Sequence, residues 1–178
     1  MSLFMRFKLL LFSLLSIMIV SCKTDTQNLE IESTSENKQS KTIIKSEVES
    51  LKYNDYGLSN DATKIVNDWQ KYQELNTQIG YLKTADLSFL KSDIALITAF
   101  INDFKTEIPK AVNTNEINAR ITALETKMLK LNSLLLLDNI SKNEQLQGLK
   151  EVFVAFSNLN LQINKKLEFE ANNISKPK

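Results

Sequence analysis

The chain has 178 residues, a formal net charge of +1, no histidine, a single cysteine, and only 3 glycines and 2 prolines. The near balance of charge gives no counterion-release drive toward nucleic acid, which needs clustered Lys and Arg. Nucleic acid is therefore excluded as a partner. The missing histidine removes Ser-His-Asp and Cys-His catalysis and the commonest nitrogen ligand of zinc, and one cysteine cannot form an intrachain disulfide. Few glycines and prolines leave little punctuation for tight-turned sheets and point to helices.

The first 21 residues open with Arg6 and Lys8 and continue in an uncharged apolar run from Leu9 to Val20. Lys23 and Asp25 stop the run short of the ~20 apolar residues that a spanning helix needs, so a cleaved signal peptide is the reading. The run ends Ile19-Val20-Ser21-Cys22, which resembles the lipobox of bacterial lipoproteins. That resemblance implies cleavage before Cys22, lipidation of its thiol, and a membrane anchor at Cys22; stable anchoring takes two or three chains. Lys23, in place of the aspartate that retains such proteins at the inner membrane, implies the outer membrane. The resemblance leaves the periplasmic face and the cell surface both open. Without Arg6 and Lys8, the 22 basic residues become 20 against 21 acidic, a net −1.

Residues 22–57 are expected to be the lipidated cysteine and a flexible tether, because Ser, Thr, Lys, Glu, Asn and Gln dominate and too little apolar surface is available to offset chain entropy. As a coil, such a stretch spans on the order of 30 Å. Its second half, with Ile43, Ile44, Val48 and Leu51, can form a short helix or lie on the domain. Tyr53 and Tyr56 read as mobile contacts at the tether boundary.

From residue 58 to 174, apolar spacings of three and four predict four amphipathic helices. The first, about 61–82, carries Ala62, Ile65, Trp69, Tyr72, Leu75, Ile79 and Leu82 and is capped by Ser59 or Asn60. The second, about 87–108, carries Leu87, Leu90, Ile94, Ile97, Ile101, Phe104 and Ile108, with Asp86 as N-cap and a stop before Pro109. The third, about 114–138, starts at an Asn113/Glu116 capping pair and carries Ile117, Ile121, Leu124, Met128, Leu131 and Leu135, with a Glu116–Arg120 surface pair. The fourth, about 142–171, starts at a Ser141/Glu144 capping box and carries Leu149, Val152, Phe156, Leu159, Ile163 and Leu167. Residues 175–178 are a tail.

Short connections between these helices predict an all-α, antiparallel up-down four-helix bundle behind the disordered N-terminal tether, with self-associating coiled-coil hairpins as the competing form. Glu168 and Glu170, the nearest thing to a catalytic carboxylate pair, sit beside Lys165 and Lys166 and read as a solvated face. No cofactor or metal motif is present in the sequence, and no enzyme is expected. Phe89, Leu96 and Phe100 form a second apolar stripe on the second helix. With Leu134, Leu136, Leu137 and Phe153 they make a candidate interaction patch at one end of the bundle, either a widened core or a surface for a protein partner. The competing function is a module for a small hydrophobic ligand or a lipid.

Overall fold

The computed structural model describes residues 42–172. Cys22, the first part of the tether and the 175–178 tail lie outside them. The described residues are all-helical: α1 (Lys45–Glu49), α2 (Asn60–Val66), α3 (Gln70–Lys83), α4 (Ile94–Thr106), α5 (Asn115–Leu136) and α6 (Lys142–Ala171), with single 3-10 turns at Phe89–Lys91 and Lys110–Val112.

The helix expected at 61–82 is two helices. Trp69 adopts φ −86° and ψ 86° between α2 and α3, outside the helical region. Its indole N–H donates to the Phe104 carbonyl at 3.2 Å, and its ring packs 4.4 Å from that of Phe104 and 5.6 Å from Tyr72. A buried indole needs an acceptor, and placing the ring where one exists interrupts the helix. Gln73 Nε2 caps the free end of α2 by donating to the Val66 carbonyl at 2.9 Å. Ser59, not Asn60, caps the start, accepting from Ala62 N–H.

The helix expected from 87 begins seven residues later. Asp86 instead holds a turn, accepting from the Ser88 N–H at 3.0 Å and hydroxyl at 2.6 Å, while Asp93 caps α4 by accepting from Ala95 N–H at 2.8 Å. The buried amide of Asn132 donates to the carbonyls of Leu90 and Ser92 at 2.9 and 3.0 Å. Those carbonyls are thereby satisfied without a continuous helix. Leu87 and Leu90 remain in the core.

Thr114, not Asn113, caps α5 through Ile117 N–H, and Glu116 makes no ion pair with Arg120 among the described residues. The Glu116 carboxyl is held below its usual range first by its own backbone N–H and then by the Thr114 hydroxyl. The Ser141/Glu144 box forms as expected, with Glu144 N–H on Ser141 Oγ at 3.2 Å and Ser141 N–H on Glu144 Oε2 at 3.1 Å.

Neighbouring helices are paired by contacts whose residue numbers rise on one helix as they fall on the other. On α5 and α6 these are Gln145 with the Leu134 carbonyl, Lys130 with Glu151 and Lys127 with Glu151. A Cβ on Gly148 would lie 2.9 Å from Leu134 and 3.2 Å from Leu131, so the missing side chain sets how closely these two helices approach. On α4 and α5, Lys105 meets Glu125 and the Leu90–Ser92 turn meets Asn132. Both pairs are therefore antiparallel. The start of α3 lies beside the end of α4 through Trp69 and Phe104.

The packed body begins at residue 43 rather than 58. Ile43 and Val48 are buried, and α1 packs on α3. Residues 51–59 form an extended strap along α6, and the order of its contacts shows it runs parallel to that helix. Glu47 meets Lys142, Tyr53 stacks on Phe153 at 5.4 Å, Tyr56 meets Ser157 and Asn160, and Ser59 meets Asn164.

Candidate functional site

The strap is held by three polar side chains spaced three and four apart on α6, which places them on one face. Ser157 Oγ accepts from Tyr56 N–H at 2.7 Å and donates to the Asn54 carbonyl at 2.6 Å. Asn160 Nδ2 donates to the Tyr56 carbonyl at 3.0 Å, while its Oδ1 accepts from the Tyr72 hydroxyl at 2.7 Å. Asn164 accepts from Ser59 N–H and donates to the Gly57 carbonyl, both at 2.8 Å. An extended segment has no internal partners for its backbone, and this ladder supplies them. Tyr53 and Tyr56, expected to be mobile, are thus fixed in place.

The seven residues of the candidate patch are divided by the fold. Phe153 is 2% exposed and belongs to the core under the strap. Phe89 and Phe100 are half-buried and pack edge to face, 5.3 Å apart at 77°, with Lys71 Nζ 5.5 Å above Phe100. Leu134 is half-buried over Gly148. Leu96 is 63% exposed and lies two residues, about 200° of helix turn, from Ile94. Leu136 and Leu137, 54% and 52% exposed, join Ile94, 51% exposed, around an open groove of about 540 Å³ that Asp93, Asn132 and Ser133 complete. Ile94 was expected on the core seam. The delayed start of α4 places it on the surface instead.

A second groove, of about 450 Å³, runs between α5 and α6 and was not foreseen. Its apolar lining is Ala123, Val154 and Ala155, and its cations are Arg120, Lys127 and Lys150. Glu151 lies among these cations, 3.0 Å from Lys127 and 2.9 Å from Lys130. Hydrogen bonds from Lys130 and then Lys127 hold its carboxyl down to about 2. Arg120 and Lys150 have no ion-pair partner among the described residues. Small residues at 123 and 155 beside unpaired cations were the available sequence signal, but it needs the α5–α6 register to be read.

No protein-family model, curated protein or solved structure matches this chain. Among the described residues, no cluster of carboxylates or cysteine has the arrangement of a metal site, and no helix is long and apolar enough to cross a membrane. Glu168 and Glu170 pair with Lys165 and Lys166 at 2.8 and 2.6 Å, so they face cations rather than each other.

Proposed function

We propose that this protein is a non-enzymatic, lipid-anchored component of a bacterial cell envelope whose helical domain presents an interaction surface to another protein. The lipobox-like Ile19-Val20-Ser21-Cys22 supports the anchor, and Lys23 favours the outer membrane. The finer architecture, an up-down-up-down four-helix bundle with α2 and α3 together as its first member, is supported by the antiparallel registers of α4, α5 and α6 and by the Trp69–Phe104 contact. The absence of histidine from the sequence argues against catalysis.

The observation that carries the interaction role is the α5–α6 groove, lined by Ala123, Val154 and Ala155 and by Arg120 and Lys150, which make no ion pair among the described residues. That chemistry fits an amphipathic segment with carboxylates beside its apolar face, a helix-in-groove mode of recognition. A photoreactive residue replacing Val154 in producing cells tests it. A discrete protein adduct, lost on Arg120→Glu with Lys150→Glu, is expected. No adduct, or one indifferent to both charge reversals, overturns the reading. Release of a Cys22→Ser variant from the membrane fraction is the matching test of the anchor. The competing reading, a hydrophobic ligand or lipid module, is supported by the groove beside Ile94, Leu136 and Leu137. It predicts a melting temperature that rises with added hydrophobic ligand.

A further inference from the structure

The described chain enters the domain beside the α5–α6 turn. Ile44 N–H donates to Glu47 Oε2 at 3.0 Å, and the other oxygen of Glu47 lies 2.6 Å from Lys142 Nζ, on the first residue of α6. The strap then follows α6 away from this end. Four large aliphatic side chains, Ile44, Ile94, Leu136 and Leu137, are each more than half exposed here. Three of them flank the open groove of about 540 Å³.

We infer that this end of the domain rests on the lipid bilayer, with these aliphatic side chains entering the boundary between headgroups and acyl chains. The inference depends on the proposed lipidation of Cys22. Cys22 precedes the first described residue by twenty positions, and the polar composition that predicts a coil there gives a reach on the order of 25 Å. At 1.5 Å per residue, the 30 residues of α6 extend about 45 Å. The anchor therefore confines the entry end near the membrane and leaves the far end of α6 projecting from it. Confinement raises the effective concentration of bilayer at this end, so a weak apolar contact is sufficient.

The chemistry of the groove favours lipid over a protein partner. Its apolar lining is aliphatic, without the Trp, Tyr or Arg that dominate protein hot spots. The one charged residue lining it, Asp93, caps α4, and nearby Glu144 caps α6 while Glu47 pairs with Lys142. The groove's own contact is thus mainly apolar.

The test uses full-length protein purified from its natural membrane, with Cys22 examined by mass spectrometry, in vesicles of phosphatidylethanolamine and phosphatidylglycerol with plain or brominated acyl chains. Leu137→Trp and, separately, Ile94→Trp report from the entry end. Phe169→Trp reports from the exposed far part of α6, and buried Trp69 is a constant background. A side chain 5–10 Å into the boundary should lose roughly half its emission to bromine, and the Phe169→Trp reporter almost none. Equal quenching at both ends, or none at either, with lipid found on Cys22, overturns the orientation and leaves the anchor standing. An unmodified Cys22 overturns both. Unquenched reporters together with a dimer that Leu136→Ser and Leu137→Ser abolish would give the groove to a second copy of the chain.

Discussion

The Tyr72 hydroxyl donates to Asn160 Oδ1 at 2.7 Å, joining α3 to α6 across 88 positions of sequence inside the core. Burial raises the Tyr72 pKa above its ordinary value, so the phenol stays a donor well into alkaline pH. Because Asn160 also holds the strap, the bond couples helix packing to the entry segment. Tyr72→Phe strands the Asn160 oxygen and should cost about 1–3 kcal/mol in urea unfolding. Asn160→Ala should cost at least as much and also speed amide exchange at Tyr56 and Ser59. Additive effects in the double variant would show that the two groups are not coupled.

The division of the candidate patch gives a graded series. Phe153→Ala should destabilise by about 3–5 kcal/mol, as expected for a buried ring stacked on Tyr53. Leu137→Ser should fall within about 0.5 kcal/mol of the parent. Phe89→Ser and Phe100→Ser, half-buried against each other, should lie between. Thermal unfolding of all four checks the order, and a Leu137→Ser cost equal to that of Phe153→Ala would refute it.

Ala85 has φ 68°, the left-handed region that disfavours a side chain. It terminates α3 in a Schellman arrangement, with Asp86 N–H on the Tyr81 carbonyl and Ala85 N–H on the Leu82 carbonyl, both at 3.0 Å. Glycine fits this position without the Cβ penalty. Ala85→Gly should raise stability by about 0.5–1 kcal/mol, the lost methyl contact offsetting part of the gain. A lower melting temperature would refute this.

Acid unfolding should be blunted in Glu151→Gln. The folded carboxyl sits at about 2 against an ordinary value of 4.5. Its contribution is therefore present above the unfolded value and is lost as pH falls from about 4.5 toward 2. Its partners Lys127 and Lys130 are 39% and 49% exposed, which limits the loss at neutral pH to about 1 kcal/mol. Unfolding free energies across this range, for parent and variant, should converge at the acid end. The acid limb persists in the variant because Glu47, Asp86, Glu116 and Glu144 are also held low by their hydrogen bonds.

Helical class and most core positions were legible in the sequence, because apolar periodicity is a local property of the chain. Ile117, Ile121, Leu124, Met128 and Leu131, and Leu149, Val152, Phe156, Leu159 and Ile163, are buried on the faces their spacing assigned. The Ser141/Glu144 box was equally legible, since both partners lie within one turn. The breaks were not. Trp69 leaves the helix for a carbonyl 35 positions away, and the turn before α4 is satisfied by Asn132, some 40 positions away. Through the break at Trp69 the buried side chains Ala62, Trp69, Tyr72 and Leu75 keep their spacing while the backbone does not, whereas the break before α4 takes Ile94 out of the seam between Leu90 and Ile97.

Spacing and composition alone establish that the chain is built from amphipathic helices, that it has no histidine, and that a lipobox-like cysteine precedes a polar stretch. Where that stretch ends is set by packing, because Ser157, Asn160 and Asn164 read as ordinary polar positions until the strap is laid beside them. Packing also sets which apolar residues are core and which are surface. Phe153 and Leu137 are both large and apolar, and Phe153 is covered by a neighbour, Tyr53, one hundred residues away, while Leu137 at the α5–α6 turn is left exposed. Burial depends on what other segments cover, and that is settled by packing rather than by spacing.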